Sequence, residues 1–157
     1  NWASAWDAAY KASIGLVWED DVDTSFDSRF YWSAGVPKSL DDVNEVDADG
    51  NPVMQDGEQV VTKGLKTQAI ELVKRQANDK LAVTDWMVVK AAEVADYSVD
   101  SATLTARAAI RTASNTIEAA ITGAADHAAF MALYDVPVDS DGNPTGNAPI
   151  NDWPDES

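Results

Sequence analysis

The chain of 157 residues contains no cysteine and a single histidine, and both shortages exclude whole classes of site. Without cysteine, the chain can form neither a disulfide nor a thiolate metal site or nucleophile. With His127 alone, a histidine-rich metal cluster is impossible and a Ser/His/Asp catalytic triad has little support. His127 follows Asp126 in a short amphipathic segment, so we expect a structural histidine rather than a general base.

Basic residues are scarce as well: 11 lysines and arginines stand against 27 acidic residues, for a formal charge of −16. Binding of DNA, RNA or anionic lipid needs clustered basic side chains, so we expect no nucleic-acid partner and no membrane partner. No apolar run approaches the roughly 20 residues that a membrane-spanning helix needs. We expect no signal peptide, and a chain beginning at Asn1 to be either a processed product or a segment of a longer one.

The acidic residues are concentrated towards the two ends, which divides the chain into three regions. Residues 1–61 carry 13 acids and three bases, residues 62–133 carry eight of each, and residues 134–157 carry six acids and no base. We interpret the regions as an acidic N-terminal helix with an extended or hairpin segment, a helical core, and an extended acidic Pro-rich tail. The acidic flanks favour solubility. The alternative is a negative surface that meets a basic neighbour in an assembly.

An aromatic stripe marks the first region, where large apolar residues recur every four positions: Trp2, Trp6, Tyr10, Ile14 and Trp18. This spacing predicts a helix over residues 2–18. The stripe either packs within the chain or is buried against another subunit, since Trp and Tyr are enriched at interfaces. The residues Trp2, Trp6, Tyr10 and Trp18, with Trp153 in the tail, are therefore the candidate protein interface.

Periodic apolar residues in the neutral region predict a small three-helix bundle over residues 65–81, 85–95 and 102–122. Thr84 is a candidate N-cap of the second helix, and Asp85 suits the positive end of its dipole. Trp86 is expected in the core, with an interface role as the alternative. Asp100 or Ser101 should cap the third helix.

Shorter elements are expected around this bundle. Three adjacent aromatic residues favour an extended segment over residues 26–35. Turn residues at Gly50 and at Asp56–Gly57 favour one short β-hairpin. A short last helix over residues 126–134 precedes the tail. The predicted fold class is mainly α.

Calcium binding is suggested by a DxDG pattern that occurs twice, in VDADGNP at 46–52 and in VDSDGNP at 138–144. If Gly50 stands at position 6 of an EF-hand loop, the ligands would be Glu45, Asp47, Asp49 and Asp56. The loop then lacks the bidentate glutamate and the flanking helices of that site. Turn chemistry is the better interpretation of both copies.

Arg107 and Arg111 share a helical face and could clamp an anion, but salt bridges to acidic side chains are the simpler interpretation. There is no Gly-rich phosphate loop, and no pair of acids among the 27 can be singled out for acid–base catalysis. We therefore expect no cofactor, no metal and no enzymatic activity. A hydrolase with an acidic site is a third alternative.

One block resembles a module of tailed-bacteriophage proteins, which are often small and acidic and associated with tails or tail fibres. The similar segments are a helix ending in the pattern ANxxLxxTDW, here residues 77–86, and a later helix with RAxxR, here residues 107–111. Segments at residues 29–32 and 37–43 also look similar, and the resemblance covers about residues 26–122. Thr84, Asp85, Trp86, Arg107 and Arg111 are the residues that carry it.

The resemblance implies a virion component that works by protein–protein contact, with no catalytic residues to carry over. The implied partners are other tail or fibre subunits, in a homo- or hetero-oligomer. The implied location is the virion, with the host cytoplasm during assembly. The alternative is an assembly factor that is absent from the mature particle.

Overall fold

The computed structural model describes Tyr10, Ser13, Ile14 and residues 25–154, in which three α-helices are combined with six short strands. Helices α1, α2 and α3 span Leu65–Glu93, Ser101–Gly123 and His127–Ala132, and a 3₁₀ turn covers Pro149–Asn151. The strands form three antiparallel pairs: β1 (Tyr31–Ser33) with β2 (Val36–Pro37), β3 (Val43–Asn44) with β6 (Val61–Thr62), and β4 (Met54–Gln55) with β5 (Glu58–Gln59). Among the described residues, no helix is long and apolar enough to span a bilayer.

The expectation of a mainly α protein built on a three-helix bundle is wrong, because the described part of the chain is mixed α/β. The helices predicted over 65–81 and 85–95 are one continuous helix, α1. No glycine or proline interrupts residues 65–93, so nothing in the backbone ends the helix there. Thr84 does not cap a helix; its hydroxyl donates to the carbonyl oxygen of Leu81 at 3.2 Å, an interior helical contact.

The two long helices form a hairpin, in which α1 and α2 run antiparallel. Arg107 reaches Asp85 near one end, and Lys74 lies 3.6 Å from Glu118 further along. The helix predicted over 102–122 is confirmed as α2, and the side chain of Asp100 accepts a hydrogen bond from the backbone N–H of Thr103. Asp100 is thus the N-cap.

The strands follow from turn chemistry more than from hydrophobic pattern. Asp56 and Gly57 have φ values of +50° and +86°, the combination required at the centre of a type I′ hairpin turn. The predicted turn at these residues is therefore confirmed, and β4 and β5 flank it. Of the extended segment expected over residues 26–35, the structure forms Tyr31–Ser33 as β1.

In the part of the chain that the structure describes, one core lies where α1 begins and α2 ends, and several elements converge there. Its buried apolar residues come from α1, α2, α3, the segment before β1 and the tail: Phe30, Leu65, Ala69, Val73, Ile117, Ile121, Ala124, Phe130, Ala148 and Ile150. Phe30 meets Phe130 edge-on, with ring centroids 6.1 Å apart. His127 has the structural role expected of it, since Nε2 lies 3.1 Å from the carbonyl oxygen of Phe30 and donates to it.

The tail is not the extended arm that the prolines predicted. The backbone N–H of Ile150 donates to the carbonyl oxygen of Leu133 at 2.9 Å, and Ile150 is only 5% exposed. Apolar side chains after Pro137 thus return to the core, because the prolines prevent a helix without preventing burial.

The start of α1 is anchored to the loop before it. The backbone N–H groups of Leu65 and Lys66 donate to the carbonyl oxygens of Ser39 and Leu40 at 2.9 and 3.0 Å. A Cβ on Gly64 would lie 2.4 Å from backbone atoms of Leu40 and Asp41, so only glycine permits this approach. The contact fixes the β region against the hairpin.

Candidate docking surface

Arg107 holds the hairpin together away from the core. Its guanidinium donates to the carbonyl oxygen of Leu81 at 2.8 Å, to Oγ1 of Thr84 at 2.6 Å and to a carboxylate oxygen of Asp85 at 2.6 Å. The Arg107 side chain is 7% exposed, whereas that of Asp85 is 52% exposed. Three acceptors on one face of α1 therefore satisfy a buried cation that belongs to α2.

The hairpin divides into two parts that differ in the residues buried between α1 and α2. We name residues 65–77 and 114–123 the base, and residues 78–113 the distal half. In the base, every buried residue of α1 is apolar, and Ile117 and Ile121 face them from α2. In the distal half, Arg107 is the one buried residue. Leu81, Met87 and Ile110 are partly buried there, so polar bonds supplement apolar contact rather than replace it.

Polar contacts also mark the border between the two parts. The hydroxyl of Ser114, which is buried, donates to a carboxylate oxygen of Glu118 at 2.9 Å. The other carboxylate oxygen of Glu118 lies 3.6 Å from Nζ of Lys74. Glu118 thus connects both helices at this level.

Large apolar side chains cover the outside of the distal half: Val83, Trp86, Val88, Val89, Val94 and Leu104. Val83 is 72% exposed, Val89 55% and Trp86 53%. A single exposed valine needs no explanation, but several on one part of a helix are typical of a contact surface. The distal half is therefore the candidate docking surface.

Trp86 was expected in the core, and that expectation is wrong. Its side chain is half exposed, and its nearest aromatic neighbour is Tyr97, with ring centroids 6.5 Å apart. Nζ of Lys90 lies 4.4 Å from the centroid of the Tyr97 ring. Tyr97 thus lies beside the Trp86 indole, and about half of the Trp86 side chain remains in solvent. An interface role, the alternative, fits this position.

The five residues that carry the phage resemblance differ in their burial and in their contacts. Thr84, Asp85 and Arg107 meet in one hydrogen-bonded contact. Trp86 points outward from the same turn of helix. Arg111 is exposed and lines a shallow depression of about 310 Å³ with Lys74 and Asn78 among others, whereas Arg107 is buried against α1. An anion clamp formed by both arginines stays an alternative prediction.

The predicted aromatic interface is only partly within the described residues. Trp2, Trp6 and Trp18 lie outside them. Tyr10 is described and is 49% exposed. Trp153 packs against the core of its own chain, and its Nε1 is buried without a hydrogen-bond partner among the described residues. An interface role for these residues stays a prediction.

The two DxDG loops have the same internal bonding, which uses the first aspartate of each. The carboxylate of Asp47 accepts from the backbone N–H groups of Asp49 and Asn51, both at 2.9 Å. The hydrogen bonds from the backbone and side chain of Asn51 hold the pKa of Asp47 below its ordinary value. Asn143 has the same effect on the pKa of Asp139 in the second loop. In the described part of the chain, no three acidic or histidine side chains are arranged to hold a metal ion.

Two features of this surface were missed from the sequence: the Arg107–Asp85 ion pair and the exposure of Val83. The apolar residues buried along α1 recur at four-residue spacing, at Leu65, Ala69, Val73 and Ala77. Extension of that spacing beyond residue 81 places positions 83, 86 and 90 on the solvent side. This signal was readable, but the assumed helix break at Thr84 concealed it.

No model of a known protein family, no curated protein and no solved structure matches this chain.

Proposed function

We propose that the chain is a non-enzymatic structural component of a bacteriophage virion, associated with the tail or tail fibre. It docks on neighbouring virion proteins through the distal half of its helical hairpin. The observation that carries the proposal is the exposure of Val83, Trp86 and Val89 on a part of the chain in which no apolar side chain is fully buried. Such a part gains apolar burial when a partner covers it.

The Arg107 contact supports the docking role, because it presents the apolar residues on a preformed helix. The base is held by its core, and the distal half by hydrogen bonds from Arg107 to Leu81, Thr84 and Asp85. A preformed surface loses less conformational entropy on binding than a disordered one. The hairpin thus presents the docking surface on two helices that are already held together before a partner binds.

The virion assignment rests on the similarity of residues 77–86 and 107–111 to the phage module. The contact among Thr84, Asp85 and Arg107 gives this motif a physical role, since it joins α1 to α2 behind the exposed Trp86. The motif therefore combines a structural contact on the inner side with a docking residue on the outer side.

Mass spectrometry of purified particles, after reaction with an amine-specific cross-linker, tests the proposal. We expect the chain in the particle, with links from Lys80 and Lys90 in the distal half to other virion proteins. Lys63, just before α1, has a side chain that is 55% exposed; it is the control and should link less. Absence of the chain from particles would contradict the structural role and leave the assembly factor as the function.

A further inference from the structure

On the solvent side of α1, one row of residues has the spacing of a coiled-coil seam. Asp79, Val83, Trp86 and Lys90 follow one another at intervals of four, three and four residues. At about 100° per residue, this row lies roughly 120° around α1 from the side that faces α2. All four residues are exposed, Val83 more than any other large apolar residue in the described chain. Alternating intervals of three and four define the seam along which two helices pack.

The row matches itself when a second helix runs antiparallel. If the two-fold axis passes between Thr84 and Asp85, Val83 of one copy faces Trp86 of the other. The same register places Asp79 opposite Lys90 of the second copy. Each apolar pair and each charge pair then occurs twice, as two-fold symmetry requires. The surface of one copy thus offers the other copy apolar side chains opposite apolar side chains and opposite charges opposite each other.

The charge distribution favours a second copy at this position. Residues 1–61 and 134–157 carry the whole net charge of −16, whereas residues 62–133 are neutral. Two copies that approached through an acidic region would repel each other. Within residues 25–154 no ion pair involves Asp79, so its carboxylate is available to Lys90 of a second copy.

We propose that two copies of the chain associate through the outer face of α1, antiparallel, with Val83 packed on Trp86 and Asp79 paired with Lys90. This proposal rests on the proposed docking role of the distal half and names the occupant of one of its faces. The faces that carry Val89 and Leu104 remain for other virion proteins. In the resulting dimer, the hairpin tip of each copy lies beside the base of the other copy.

Sedimentation velocity of the full chain over a range of concentrations is the first test. We expect a species of twice 16.8 kDa that dissociates at a concentration on the order of 10 µM, as befits a small interface. A chain that stays monomeric into the millimolar range would overturn the dimer. It would not overturn the virion role, which cross-linking in particles tests separately.

Val83→Glu tests the surface, since it places a charge against the second copy's Trp86. We expect the dissociation constant to rise about 30-fold or more. Leu104→Glu is the matched control, because Leu104 is also half exposed in the distal half but belongs to α2. A dimer that survives Val83→Glu, or that is lost equally with Leu104→Glu, would overturn the proposed face.

Charge exchange tests the register. Asp79→Lys places two cations opposite each other and should weaken the dimer about 10-fold at low salt. Adding Lys90→Asp to the same chain restores the opposite charges and should restore the affinity. Failure of the double variant to recover would overturn the antiparallel register. Circular dichroism of each variant checks that α1 stays helical.

Discussion

The base and the distal half of the hairpin are made from the same two helices, yet different forces hold them. In the base, Val73, Ile117 and Ile121 are almost fully buried, and α3, the tail and the segment before β1 pack around them. In the distal half only Arg107 is buried, and valines and a tryptophan face the solvent. Apolar burial stabilises the base without specifying a partner. Oriented hydrogen bonds hold the distal half and leave its apolar area for contact with other molecules.

The difference implies that the base sets the stability of the chain. Ile121→Ala removes a side chain with no exposed surface from the base and should lower the free energy of unfolding by about 4 kcal/mol. Leu104→Ala, in the distal half, should cost less than about 0.5 kcal/mol, because Leu104 is 51% exposed. Urea denaturation measures both. Equal losses would contradict the division into two parts.

Gly64→Ala should destabilise the junction between the β region and α1. The backbone at Gly64, with φ −72° and ψ 170°, suits alanine, so the close approach of Leu40 and Asp41 is the sole obstacle. A shift of that loop should cost about 2–3 kcal/mol.

Gly123→Ala is the control for this change. A Cβ at Gly123 meets no atom within 4 Å, so alanine there should leave stability unchanged or raise it slightly. If thermal unfolding of the two variants is the same, the contact at Gly64 does not fix the β region.

Arg107→Met should loosen the distal half and leave the core intact. The variant loses three hydrogen bonds, and because Asp85 is half exposed its carboxylate regains water, so we expect a loss of about 2 kcal/mol. Amide hydrogen exchange should speed up in residues 78–113 and stay slow in the base.

Arg111→Met is the matched control, four residues along the same helix and exposed. Its effect on stability should be near zero. A similar loss in both variants would show that the two arginines of the motif act together, contrary to their positions.

Acidification should produce the smallest effect, and in the distal half it should act at the start of α2. Hydrogen bonds from the backbone and hydroxyl of Thr103 hold the pKa of Asp100 below its ordinary value. Because the pKa of Asp100 is lower in the folded state, the cap contributes its full stabilisation above the ordinary aspartate pKa of about 3.9. This stabilisation is lost as the pH falls through the lowered pKa. NMR titration should show this shift, and Asp100→Asn should remove the pH dependence of the amide protection factors at the start of α2. An ordinary pKa at Asp100 would contradict the capping contact.

Particular residues show how far the sequence predicts this molecule. The period of apolar residues located α2, and Asp56–Gly57 located a turn, because both are local properties of a few successive residues. The break assumed at Thr84 was wrong because its hydroxyl can serve either a cap or a helix interior, and the sequence does not say which. Its partner, Arg107, is 23 residues away and becomes a neighbour only when the hairpin closes.

Prediction of the candidate surface failed for a related reason. Trp86 was expected in the core because large aromatic residues are usually buried. It is exposed because the core is packed against the opposite side of α1. Likewise the prolines of the tail correctly excluded a helix, yet they gave no sign that Ile150 returns to the core.

The sequence by itself determined the neutral centre between acidic flanks, the position of α2 and of the turn at Asp56–Gly57, and the lack of residues for thiol or histidine-rich chemistry. These depend on composition and on spacing within a few residues. The tertiary structure alone decided which apolar side chains form the core and which stay in solvent, and that Arg107 is buried against Thr84 and Asp85. Burial and long-range pairing depend on how the helices pack, so they are fixed only when distant parts of the chain meet.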